Sequence, residues 1–152
     1  MRSILIASGG FLLAVLWIDL MFDVQVRRLV DAADRREAAI ASIAGYYRRV
    51  TTEAFPMNRL IGGVMLLQLW GIADQVLVHR AVTGWRALLV VVLGTVPIGL
   101  AFFRVFPAAV RLGGRTDALT IQIDLAHDIF RGHVLCFAAI AAFTLVQLRL
   151  PA

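Results

Sequence analysis

The chain has 152 residues, of which 61% are hydrophobic and only 16% are charged, with a mean hydropathy of +0.84. Soluble domains are usually about 45–50% apolar and about 25% charged, so this composition excludes an ordinary water-soluble fold. The net charge of +5 comes from fifteen arginines and no lysine. Because these arginines lie mostly at the ends of apolar stretches and in the connections, they favour orientation in a membrane over nucleic-acid binding.

Four long apolar stretches predict four membrane-spanning helices. They cover residues 4–23, 59–79, 86–105 and 127–148. Each is close to the roughly 20 residues that a helix needs to cross the hydrocarbon layer. A helix is expected because the backbone polar groups of a spanning segment must pair within that segment. The spans and their connections use nearly the whole chain, so we predict a single all-α domain over residues 1–152, an integral membrane four-helix bundle.

The first apolar stretch has some features of a signal peptide. Arg2 precedes it, as a basic residue precedes the apolar core of a signal. The apolar run is longer than a usual signal core, however, and no small-x-small cleavage site follows before Asp19. We therefore predict a retained membrane helix.

The first connection predicts a helical extension of the first helix rather than a loop. Residues 24–44 contain neither Gly nor Pro. The pairs Arg27/Asp31 and Asp31/Arg35 have the i,i+4 spacing that supports a helix. The extension is expected to leave the membrane and to end near Gly45.

Two tyrosines and two arginines follow that extension directly. Aromatic and basic side chains anchor in the headgroup region, which is one interpretation of Tyr46, Tyr47, Arg48 and Arg49. An ordinary solvated helix face is the other.

The second and third spans are joined by a short connection around residues 80–85, which predicts a tight helical hairpin. Pro97, inside the third span, removes a backbone donor and predicts a kink. Broken helices form ion or substrate sites in transporters. Because no ionisable residue lies between residues 87 and 103 to line a pathway, we favour a packing kink.

The distribution of arginines predicts the orientation. The first and third connections and their flanks carry most of them, whereas the opposite side carries few. The positive-inside tendency therefore places connections 1 and 3 in the cytoplasm. Both termini are then predicted to lie on the outer side of the cell inner (plasma) membrane. The arginines on the predicted cytoplasmic side are Arg27, Arg28, Arg35, Arg36, Arg48, Arg49, Arg104, Arg111 and Arg115.

Polar and ionisable residues inside a membrane are costly and indicate a functional site. In the predicted orientation most of them gather at the cytoplasmic end of the bundle. Asp19 and Asp23 share one face of the first helix. Asp124 and His127 form an acid-x-x-His pair, the spacing found in carboxylate-bridged metal bundles. The remaining members of the predicted set are Glu53, Asn58, Arg59, Arg104, Asp128, Arg131 and His133.

For an enzyme, these residue types suggest a base or ligand, charge partners and an oxyanion stabiliser. The candidate catalytic residues are His127, Asp124, Asp19, Asp23 and Arg131. The candidate substrate-binding residues are Asn58, Arg59, Arg104 and His133. A metal ion is the candidate cofactor, with His127, Asp124, Asp23 and Glu53 as candidate ligands. A di-metal site would need a second acid-x-x-His pair, which the chain lacks.

The same residues allow structural interpretations. The carboxylates could pair with Arg59, Arg104 and Arg131 in buried interhelical ion pairs that fix the register of the bundle. His133, near Phe130 and Phe137, could be a hydrogen-bonded core histidine. The set could also be a plain interfacial cluster.

The second half of the chain has a Pro-containing basic connection, residues 106–112, before a long last helix that opens with His and Arg in residues 124–133. In this plan it resembles the anthrone oxygenase-like family of four-span membrane proteins. The resemblance implies a bundle that encloses a pocket for a hydrophobic aromatic substrate, with polar residues at the mouth of the last helix. Either His127 or His133 matches the family histidine, and the Trp expected ahead of it is absent here.

We therefore expect a small multi-pass inner-membrane protein whose polar pocket binds or oxidises a small hydrophobic molecule. If it is an enzyme, membrane oxidoreductase or oxygenase-like chemistry is expected. The alternative is a non-catalytic accessory subunit of a larger membrane complex, with residues 24–44 as the docking element. The expected partners are the lipid bilayer, the hydrophobic molecule, and a larger complex or a homo-oligomer.

Overall fold

The computed structural model describes residues 1–30 and 33–150, with side chains described for residues 1–27 and 35–150. These residues form helices and turns and no strand, which confirms the predicted all-α bundle. The α-helices are α1 (Arg2–Asp23), α2 (Ala33–Arg48), α3 (Met57–Ala73), α4 (Gly84–Leu100), α5 (Phe106–Gly114) and α6 (Leu119–Arg149).

Four helical segments are long and apolar enough to cross a membrane. Some continue past the α-helix itself through tighter or wider turns: Arg2–Arg27, Met57–Val78, Gly84–Gly114 and Leu119–Arg149. Only 22 to 33% of the most apolar window of each segment is buried within the molecule. Most of their apolar surface is therefore available to lipid, as expected of a multi-pass membrane protein. The span boundaries and the sides of the membrane stay predictions.

The spanning helices pack around α6, which contacts both α1 and α4, while α1 also contacts α3. One buried apolar cluster lies near the chain termini and includes Leu5, Ile72, Val90 and Phe143. Pro97 lies inside α4, and the helix continues past it into a wider turn over Ala101–Val105. The helix is therefore not broken at Pro97, which fits a packing role.

The helical extension predicted after the first span is present. It begins as tight helical turns over Val24–Val30, and helix resumes in α2. The pairs Arg27/Asp31 and Asp31/Arg35 involve a residue outside those that the structure describes. Rather than standing apart from the bundle, α2 packs against α5 and α6. We call the end of the bundle that α2 and α5 cover the α2 end.

A second apolar core holds the α2 end together. Ile40, Ile43 and Tyr47 of α2 are buried against residues of α5 and α6, such as Leu112 and Ile129. These positions of α2 recur at i, i+3 and i+7, which is one face of a helix.

Two glycines let helices approach closely at the α2 end. A Cβ at Gly113 of α5 would lie 3.0 Å from the backbone nitrogen of Arg48. A Cβ at Gly132 of α6 would lie 2.5 Å from Val105 Cγ2. The second approach draws α6 against the end of the third span, directly beside His133.

Candidate functional site

Three helices bring a polar cluster together inside the α2 end. α1 contributes two carboxylates, α2 two phenols and α6 one imidazole. We call this set the Asp–Tyr–His cluster: Asp19, Asp23, Tyr46, Tyr47 and His133.

Asp23 is the centre of the cluster. One of its carboxylate oxygens, Oδ2, lies 2.7 Å from His133 Nδ1, and the other accepts a short hydrogen bond from the Tyr47 hydroxyl. The side chain of Asp23 is only 1% exposed and that of His133 only 8%. A buried carboxylate is tolerated only when donors replace the water it has lost, and Asp23 has two such donors.

Asp19 forms the outer part of the cluster. Its Oδ1 accepts a hydrogen bond of 2.6 Å from the Tyr46 hydroxyl. Its Oδ2 lies 3.8 Å from His133 Nε2, which is too far for a hydrogen bond. The Asp19 side chain is 12% exposed, against 1% for Asp23. The cluster is therefore closed around Asp23 and partly open at Asp19.

Two pairs of aromatic rings lie on the helices that form the cluster. The rings of Phe22 and Tyr46 are stacked, with centroids 4.0 Å apart. The rings of Trp17 and Phe137 contact each other at 6.1 Å. Trp17 is 59% exposed, so the second pair reaches the surface of the molecule.

The hydrogen bonds assign the proton positions. An ionised Asp23 can only accept, so His133 Nδ1 carries hydrogen and a neutral imidazole has its lone pair on Nε2. Burial, and then the negative charge of Asp23, raises the pKa of Tyr47 far above its usual range. Burial and the charge of Asp19 do the same to the pKa of Tyr46. Both phenols therefore stay protonated and donate to the carboxylates.

The local sequence explains how these groups meet. Asp19 and Asp23 are one turn apart on one face of α1. Tyr46 and Tyr47 are consecutive in α2 and so point in different directions, which lets each reach a different carboxylate. His133 follows Gly132, where α6 closely approaches Val105 at the end of the third span.

Of the residues predicted for catalysis, substrate binding or metal ligation, the structure brings Asp19, Asp23 and His133 together. His127 is half-buried on another side of α6. The other predicted residues have exposed side chains: Glu53, Asn58, Arg59, Arg104, Asp124 and Arg131.

Several of those exposed residues have contacts of their own outside the cluster. The Arg59 guanidinium lies 4.9 Å from the centre of the Phe55 ring, and its backbone N–H donates to Asn58 Oδ1. Glu53 lies 3.7 Å from Arg48. In the described part of the chain, Asp19 and Asp23 both lie against His133, not against the three arginines that the structural interpretation required.

The candidate metal ligands do not form a set. Among the described residues no three side chains of His, Cys, Asp or Glu are placed to hold a metal ion. Asp23 directs its oxygens to Tyr47 and His133, whereas Asp124 and Glu53 are exposed.

The two tyrosines were not among the predicted site residues. A signal for Tyr47 was present, because it continues the buried stripe of Ile40 and Ile43 and so belongs to the inner face of α2. Tyr46 is adjacent to that stripe, and its sequence context gives no comparable signal.

A second polar network crosses the other half of the bundle. Ser8 donates to Gln68, and Gln68 donates to the backbone carbonyl of Gly94. The amides of Gln75 and Gln147 donate to each other, at 3.3 and 3.0 Å. Gln68 and Gln147 are fully buried, and interhelical bonds of this kind fix the register of membrane helices.

Comparisons with known proteins give no match, whether with family models, with characterised proteins or with solved structures. The resemblance to the anthrone oxygenase-like family stays a prediction.

Proposed function

We propose that this multi-pass membrane protein binds a small hydrophobic molecule at the Asp–Tyr–His cluster and exchanges a proton with it through His133 Nε2. The observation that carries this proposal is the difference between the two ring nitrogens. Nδ1 is held by Asp23 at 2.7 Å, whereas the described residues give Nε2 no hydrogen bond and place Asp19 Oδ2 3.8 Å from it. An imidazole fixed at one nitrogen and available at the other is the arrangement of a general base.

The roles of the other members follow from their contacts. Asp23 orients the imidazole and would stabilise the imidazolium that forms when Nε2 accepts a proton. Tyr47 holds the Asp23 carboxylate in place by its hydrogen bond. General acid–base groups of this type typically contribute about 10²–10⁴-fold to a rate. The base is thus His133 rather than His127, whose side chain lies outside the cluster.

The surroundings of Asp19 support entry from the lipid. Asp19 and Tyr46 are the more accessible members of the cluster. The exposed ring of Trp17 contacts Phe137, which follows His133 by one turn of α6. A molecule dissolved in the bilayer could reach Nε2 here without crossing water. The arginines that gather around the α2 end favour a position at the cytoplasmic leaflet of the inner membrane.

The accessory-subunit alternative has less support from the fold. It used residues 24–44 as a docking element, but the apolar residues Ile40, Ile43 and Ala44 are already covered within the molecule. Among the described side chains of α2, residues 35–48, little apolar surface is left for a partner.

Analysis of co-purified molecules tests the proposal. The protein and its variants would be purified from native membranes, extracted with organic solvent and compared by mass spectrometry. We expect a hydrophobic species in the wild type that is lost in His133→Ala and retained in His79→Ala, a matched change at an exposed histidine. Equal extracts from all three proteins, with helix content unchanged by circular dichroism, would contradict the proposal.

A further inference from the structure

The outer edge of the Asp–Tyr–His cluster has an unusual balance of hydrogen-bonding groups. The Tyr46 and Tyr47 hydroxyls already donate hydrogen bonds to the carboxylates, and so does the Nδ1–H of His133. Among the described side chains of the cluster, the groups left at this edge are Asp19 Oδ2 and the lone pair of His133 Nε2, which are both acceptors.

The charge of the edge points the same way. The cluster contains two carboxylates, and the basic side chain beside both among the described residues is His133, which is neutral when its Nε2 carries the lone pair. Arg27 follows shortly after Asp23 in the chain, but its guanidinium lies over the ring of Phe130, at 5.7 Å. The two carboxylates would repel an anionic ligand, whereas they would attract a cation.

The aromatic rings add an independent indication. Phe22 stacks on Tyr46, whose hydroxyl donates to Asp19, and Phe137, which contacts Trp17, follows His133 by one turn of α6. Aromatic faces next to a carboxylate are a setting that stabilises an ammonium group through its charge, in addition to its hydrogen bonds. The same rings suit an apolar chain as it enters from the lipid.

We infer that the ligand of this site is a lipophilic amine, a hydrocarbon chain that carries a protonated nitrogen. The ammonium donates to Asp19 Oδ2 and to His133 Nε2. Its hydrocarbon chain extends past these aromatic rings into the bilayer. This inference rests on the proposed function and adds the chemical class of the ligand. A neutral alcohol, with one donor, is a weaker ligand of the same edge, and ketones and carboxylates are excluded by their lack of a donor.

Four probes with the same chain length separate these classes: dodecylamine, dodecanol, 2-dodecanone and dodecanoate. The full chain would be placed in nanodiscs of neutral lipid at mildly alkaline pH. Saturable binding of radiolabelled dodecylamine would be measured, followed by competition with the other three probes. We expect dodecanol to compete weakly and the ketone and the carboxylate not to compete.

Variants tie this preference to the cluster. Asp19→Asn keeps an acceptor for Tyr46 but removes the charge, so it should weaken dodecylamine binding roughly tenfold or more. Asp128→Asn, the same change at an exposed position of α6, should leave binding within about twofold. Tyr46→Phe should strengthen dodecylamine binding because Asp19 loses the phenol that occupies its Oδ1. This second variant tests the inference even if Asp19→Asn fails to fold.

The outcomes separate the amine assignment from the proposed binding of a hydrophobic ligand at the Asp–Tyr–His cluster. Ketone or carboxylate binding as strong as that of the amine, lost in His133→Ala, would overturn the amine assignment and leave ligand binding at the cluster standing. Unchanged amine binding in a folded Asp19→Asn protein would overturn it too. If no probe shows saturable binding that depends on His133, both the inference and the proposed function fail.

Discussion

Tyr47→Phe, compared with Tyr46→Phe, tests whether the inner part of the cluster is closed and the outer part open. The two changes remove the same hydroxyl from neighbouring residues, and each hydroxyl donates to one aspartate. The surroundings differ: the Asp23 side chain is 1% exposed and that of Asp19 is 12% exposed.

The expected cost follows from that difference. Without Tyr47, Asp23 keeps only its bond to His133, and no water is available to replace the lost donor. Hydrogen bonds to buried charged groups contribute about 1.5–3 kcal/mol, so Tyr47→Phe should lower the free energy of unfolding by about that amount. At Asp19 water or lipid headgroups can replace the phenol, and the loss should stay below about 1 kcal/mol. Neutral interhelical bonds in membranes average about 0.6 kcal/mol.

Reversible unfolding in mixed micelles with increasing sodium dodecyl sulfate, followed by circular dichroism, gives both free energies. The double variant Tyr47→Phe/His133→Ala should lose less than the sum of the single losses, because both side chains donate to Asp23. Equal losses for the two tyrosine variants, or strictly additive losses in the double variant, would refute the closed centre around Asp23.

Two further predictions concern alkaline pH and helix packing. Because the pKa of Tyr46 and that of Tyr47 are raised, the unfolded chain ionises first, near pH 10; stability should therefore fall above that pH, and tyrosinate absorbance should appear only as the helices unfold. A steady rise of that absorbance in the folded protein would contradict buried phenols. Gly132→Ala should lower the free energy of unfolding by about 1–3 kcal/mol, because the added methyl group clashes with Val105. Gly63→Ala, whose methyl group meets open space, should not destabilise the protein. Equal micelle-unfolding curves for the two variants would contradict the close approach of α6.

The number and type of spanning helices were predictable because they depend on length and hydropathy alone. The pairing of Asp19 with Asp23 was predictable as well, since their spacing puts them on one face of any helix. The path of α2 was not predictable from the sequence. Its return to the bundle depends on the close approach of Gly113 to Arg48 and on contacts with α5, which involve residues distant in sequence.

Which of His127 and His133 faces the inside of the bundle was also not predictable from the sequence. In a soluble helix the apolar face marks the buried side, but a helix in lipid is apolar on its outer face too. The buried stripe of α6 runs through Ile129, Cys136 and Ile140, and His133 is on it, four residues after Ile129. That stripe cannot be separated from the lipid-facing residues by hydropathy, and so the acid-x-x-His spacing drew attention to His127 instead.

The difference in closure between Asp23 and Asp19 bears on whether the cluster binds a ligand or is a structural lock, which only fixes how the helices pack. A lock that fixes helix register would gain most from closing both carboxylates and pairing each with an arginine, because an open or half-paired buried charge is costly. Here one carboxylate is closed by two donors. The other shares a partly open edge with an imidazole nitrogen to which no described residue makes a hydrogen bond. Stability alone gives no reason to leave that edge open. A ligand that donates hydrogen bonds there would complete the arrangement, which is why the outer edge, and not the closed centre, is where the function should be sought.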